Sequence, residues 1–112
     1  MNATVFSHSN IIGKTDLIIG DASMGHVFGL FIPNEYYFAH IQQDVWKIYD
    51  NTKPNYGKWD MLGLVIELET GYKLNPEGGI TIDDIEDLPD EPKQVDISGL
   101  HWQVINNYFH AT

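Results

Sequence analysis

Six of the nine residues from Asp83 to Glu91 are acidic: Asp83, Asp84, Glu86, Asp87, Asp90 and Glu91. Carboxylates this dense serve two kinds of chemistry. They chelate hard cations, or they pair with lysine and arginine side chains. A calcium loop of the EF-hand kind needs a glycine at its sixth position. Counted from Asp83, that position is Leu88, so the motif is refused and no specific metal site is expected. Recognition of a basic surface remains. Pro89 and Pro92 prevent the stretch from being a helix and lower the cost of ordering it on binding. Ile80, Ile82, Ile85 and Leu88 are threaded through it as apolar anchors. A disordered acidic tail has no use for such residues. The segment Ile80–Asp96 therefore reads as an acidic loop pinned to a folded body. The plainer alternative is a solvated run of charge that keeps the chain soluble.

Other reactive residues carry less. Glu67 and Glu69 stand two apart on one strand face, a spacing that brings carboxylates together for acid–base work but equally suits a wetted sheet face. The five histidines, His8, His26, His40, His101 and His110, form no His-x-x-x-His or His-Glu-x-x-His pair. No Gly-x-Ser-x-Gly elbow, Ser-x-x-Lys or phosphate-binding glycine loop occurs. Cysteine is absent, which removes disulfides, thiolate metal sites and a cysteine nucleophile. The expectation is a protein without catalytic residues and without a cofactor.

Charge narrows the partner. The 112 residues hold sixteen acids against six lysines and no arginine, for a net charge of −10. Eight acids and five lysines precede Glu77; eight acids and only Lys93 lie from Glu77 onward. Nucleic acid and anionic membrane surfaces both require cationic side chains, so neither is an expected partner. A basic protein is. The N-terminal residues have no basic, apolar export signal, and no stretch is long enough to span a bilayer. A cytoplasmic protein is expected.

The elements that must position the acidic stretch form one domain. A chain of this length, 43% hydrophobic, can bury a core without staples. Met1–Ser7 suits a short strand or an arm, Asn10–Lys14 a turn around Gly13, and Asp16–Gly20 a short buried strand. Met24–Pro33 is apolar on both faces and belongs inside a sheet, with Gly25 and Gly29 marking a bulge or a close backbone approach. Asn34 caps a helix to Asp50 whose buried stripe is Phe38, Ile41, Val45, Ile48 and Tyr49. Asn51–Asp60 reads as a loop. Leu62–Glu69 alternates strictly, with Leu62, Leu64, Ile66 and Leu68 inward, and turns at Thr70–Gly71 so that Tyr72–Leu74 returns beside it. Ser98 caps a last helix to His110, with Leu100, Val104, Ile105 and Tyr108 buried and Trp102 and Phe109 widening that face. The fold class is α+β, in the order β-β-α-β-β, acidic loop, α, with an antiparallel sheet of about four to six strands on two helices. Tyr56, Trp59, Tyr72 and Trp102 are candidate aromatic anchors beside the acidic face.

In length, acidity, lack of arginine and cysteine, and the Asp83–Glu91 face, the chain resembles the immunity proteins of bacterial toxin systems, including those of contact-dependent inhibition. The resemblance implies a role: binding a cognate toxin domain, commonly a basic nuclease, and blocking it. The acidic face would imitate phosphates in the toxin's nucleic-acid groove. Two other readings fit the same residues, a phage or host DNA-mimic that inhibits a different basic protein, and a small ligand-binding protein.

Overall fold

The computed structural model describes residues 1–49 and 56–109. Seven strands form one antiparallel sheet: β1 (Asn2–Ser7), β2 (Asn10–Asp16), β3 (Ile18–Ile19), β4 (Val27–Pro33), β5 (Leu64–Leu68), β6 (Gly79–Asp83) and β7 (Lys93–Ser98). Their spatial order is β5-β1-β2-β4-β7-β6, with the short β3 also paired to β4. Among the described residues three α-helices accompany them: α1 (Gln42–Tyr49), α2 (Tyr56–Met61) and α3 (Trp102–Tyr108). The class is α+β, as the sequence indicates. The radius of gyration, 13.6 Å, is close to the ~13 Å expected of a single compact domain this long.

The strands follow a period of two. On β1 Ala3, Val5 and Ser7 are buried; on β5 Ile66 and Leu68; on β6 Ile80 and Ile82; on β7 Lys93, Val95 and Ile97. Tyr37, Ile41, Val45 and Ile48 from the first helical segment, with Ile105 and Phe109 from the last, complete the core. Each fully buried aliphatic side chain contributes about 1.5–3 kcal/mol. The sheet's terminal strands, β5 and β6, line a common cleft, so the sheet curls round like an incomplete barrel. Tyr72–Leu74 does return along β5: the Leu68 amide donates to Tyr72 O and the Leu74 amide to Ile66 O.

Several segments differ from expectation. Asn10–Lys14 is strand β2, not a turn. Gly13 sits there because a side chain would run into the Phe31 ring and the Ile32 carbonyl on β4. Asp16–Gly20 is divided: Asp16 ends β2, Ile18–Ile19 forms the short β3, and Ile18 is exposed. Tyr56–Met61 is helical where a loop was expected, while residues 51–55 lie outside the described residues. The acidic stretch is divided, because its two ends are β6 and β7 and only Asp84–Pro92 is loop. The last helix is capped by His101, whose Nδ1 accepts from the Gln103 amide, and not by Ser98, which ends β7. Its buried face holds Phe109, but Trp102 is exposed.

The long helical segment starts as expected. Asn34 Oδ1 accepts from the Tyr37 amide at 3.1 Å while its Nδ2 donates to Ile11 O. A π turn follows at Tyr37–Ile41, closed by the Gln42 amide donating to Tyr37 O. Tyr37 shares the face of Ile41, Val45 and Ile48 and enters the core in place of Phe38, which is half exposed.

Candidate functional site: an acidic loop on a buried root

The parity of β6 continues one residue past its end. Ile80 and Ile82 point inward, and so does Asp84, which is 2% exposed. Asp84 therefore leaves the expected partner-binding set. It faces protein, not solvent. Its Oδ2 accepts from the Tyr37 hydroxyl at 2.5 Å and from Gln42 Nε2 at 3.2 Å. Its Oδ1 has no hydrogen bond among the described residues and lies 3.6 Å from Lys93 Nζ. Lys93, inward on β7 by the same alternation as Val95 and Ile97, is likewise buried. Its ammonium donates to Pro89 O at 3.3 Å and stands over the Phe38 ring at 6.0 Å. The two ends of the loop are thus joined by a buried ion pair, to which the Tyr37 hydroxyl is delivered from the start of the π turn.

Phenols record this environment. Burial, and then the hydrogen bond to Asp84, push the Tyr37 hydroxyl far above the ordinary tyrosine range. Burial, followed by the charges of Asp83, Asp96 and Asp84, does the same to Tyr49. The Tyr49 hydroxyl donates to Ile82 O at 2.7 Å, which ties the helix to the edge strand β6 just before the loop.

Beyond the root, everything is presented. Asp83, Glu86, Asp87, Asp90 and Glu91 are exposed. Ile85 and Leu88, expected to pin the loop, are instead about half exposed at its surface. Two successive turns shape the tip, with the Leu88 amide on Ile85 O and the Glu91 amide on Leu88 O, both at 3.1 Å. The loop is fixed at its base by polar groups and leaves its apolar residues beside its carboxylates.

The aromatic candidates do not gather there. Trp59 is half buried, packs edge-on against Tyr49 at 5.7 Å and lines the cleft between β5 and β6. Tyr72 stacks on Tyr108 at 4.6 Å. Trp102 is exposed, but it lies past the opposite end of β7 from the loop. The Tyr56 side chain lies outside the described residues.

Elsewhere, His26 Nε2 and Asp96 Oδ1 lie 3.0 Å apart, and Gln94 Nε2 donates to the same carboxylate. The β5–β6 cleft encloses about 480 Å³ and is lined by Trp59, Asp60, Leu74, Glu77 and the Gly78–Gly79 backbone. Among the described residues no group of three or more His, Cys, Asp or Glu is placed to hold a metal ion, and no helix is long and apolar enough to cross a membrane.

Residue type alone does not separate the root from the other charges of the stretch. Their parity carried the signal: Asp84 shares the phase of Ile80 and Ile82, and Lys93 that of Val95 and Ile97. Compared with known protein families, with curated proteins and with solved structures, the chain matches none.

Proposed function

We propose that this chain is an acidic protein-binding inhibitor, acting in the cytoplasm as an immunity protein that neutralises a basic toxin domain, most simply a nuclease. One observation carries the reading. Four exposed carboxylates, with a fifth on Asp83 at the end of β6, and two exposed aliphatic residues stand on or beside a loop whose two ends are locked together by a buried ion pair. A loop held this way loses little conformational freedom on binding. Its carboxylates would occupy the positions of phosphates in the partner's groove, and Ile85 and Leu88 would supply apolar contact beside them. The net charge of −10 favours fast, steered encounter with a basic surface, up to about 10⁸–10⁹ M⁻¹s⁻¹ at low salt. A DNA-mimic inhibitor of another basic protein would use the same loop in the same way.

The test begins with the tagged chain as bait in lysate of its native host, washed at low and at moderate salt. Partners are identified by mass and then assayed as nucleases with and without the chain. A basic nuclease that is retained, weakened by salt and inhibited supports the reading. Charge reversal at Asp87→Lys and Asp90→Lys should then abolish inhibition while the fold persists. Undiminished inhibition by the reversed chain would remove the loop from the interface. A second reading has its own observation, the ~480 Å³ cleft between β5 and β6, whose size suits a small ligand. Retention of no protein at either salt would move the search to that cleft.

A further inference from the structure

Strand β4 is apolar on both faces, yet only one face is covered. Val27 and Phe31 are buried in the core. On the other face Leu30 is 54% and Ile32 61% exposed, in the middle of a seven-stranded sheet. Strands this apolar are normally covered on both sides. Ile18, also exposed, pairs with the half-buried Phe28 on the same strand and extends the strip.

The strip abuts the acidic loop. Leu30 pairs with Gln94, and Gln94 pairs with Asp83, the exposed residue that leads into the loop. Two strand spacings of ~4.8 Å put the Asp83 backbone about 10 Å from that of Leu30. At the loop's other end Phe31 pairs with Lys93, which places Ile32 one residue further toward Pro92. Exposed Ile85 and Leu88 continue the apolar character into the loop itself. On the far side of the strip Ile32 pairs with Lys14, and the exposed Asp16 and Glu69 lie close by, so that border is of mixed sign where the loop border is acidic.

We infer that the open face of β4 and the acidic loop form one docking surface, whose occupant is a basic protein presenting an apolar ridge flanked by lysine or arginine. This rests on the inhibitor reading and specifies its partner's surface. Charge selects the occupant. A second copy would bring another net charge of −10 and another acidic loop to the same face, whereas a cationic flank on a different protein meets the loop with opposite sign. The aliphatic residues then form the desolvated centre and the carboxylates the rim.

Two short helical peptides serve as probes, one with leucines along one face and lysines on the rest, the other with serine in place of each leucine. They carry equal charge. Fluorescence anisotropy reads their binding to the wild-type chain, to L30T/I32T and to D87K/D90K. Threonine keeps strand propensity, and a thermal melt near that of wild type qualifies each variant; should the double variant fail to fold, Ile32→Thr alone replaces it. The leucine peptide should bind the wild type at least about tenfold tighter than the serine peptide, L30T/I32T should erase that margin, and D87K/D90K should weaken both. If L30T/I32T binds as wild type does while D87K/D90K does not, the open face falls and the loop reading stands. If neither variant changes binding, both fall. A wild type that sediments as a dimer and becomes monomeric as L30T/I32T would assign the face to a second copy and overturn the inference.

Discussion

The root and the tip of the acidic loop are built from the same residue types a few positions apart, and they use charge in opposite ways. Asp84 is buried, answered by Tyr37, Gln42 and Lys93. Asp87 and Asp90, three and six residues on, are exposed. A carboxylate taken out of water must be paired and hydrogen-bonded where it stands. One left in water costs nothing to keep and remains free for a partner. Charge at the root therefore acts on the fold, and charge at the tip acts on whatever binds.

That contrast can be broken in graded steps. Lys93→Met should be the most damaging, because it leaves Asp84 as an uncompensated buried charge. A loss of about 3–5 kcal/mol is expected in urea unfolding. A loss below about 1 kcal/mol would mean that the ion pair does not hold the root. Tyr37→Phe removes one hydrogen bond to a charged acceptor and should cost about 1.5–3 kcal/mol by the same measurement, with the helix retained by circular dichroism.

Alkaline titration sharpens the comparison without mutation. The phenols of Tyr37 and Tyr49 are raised in the fold, so their neutral forms are the ones the native state holds. Their contribution to stability is complete below the unfolded tyrosine value of about 10 and declines above it. Ultraviolet absorbance should show the fully buried Tyr37 phenol ionising only together with unfolding, whereas Tyr49, about half exposed, carries no such requirement. Ionisation of Tyr37 in a still-folded chain would show that water reaches the root. At the tip the effect on stability should be smallest. Asp87→Lys and Asp90→Lys should each stay within about 0.5 kcal/mol of wild type, and a larger loss would mean that the tip, too, is structural.

Much of this arrangement was readable from the chain, and the gaps have identifiable causes. The alternation of Leu62 to Leu68 marked β5 because one apolar face against one polar face has no other regular explanation. Asn34 was recognisable as a cap because its side chain completes the helix's first turn by itself. Strand β2 was not. Its Gly13 looks like a turn residue until Phe31 and Ile32 are seen to occupy the space where a side chain would go. The choice between Tyr37 and Phe38 was also out of reach, since both stand at helical spacing from Ile41, Val45 and Ile48 and only the packing decides which of them meets Asp84. Ile85 and Leu88 looked like anchors because they are apolar, but the anchoring is polar and lies at Asp84 and Lys93.

By itself, the sequence determined the class of fold, the sign and location of the charge, and the absence of familiar catalytic motifs. These follow from composition and from local periodicity, which act over a few residues. Tertiary structure alone decided which acid was buried, which apolar face of β4 was left open, and which lysine closed the loop. Each of those depends on groups distant along the chain. Tyr37 and Asp84 are 47 residues apart, and burial is decided only when both arrive at the same place.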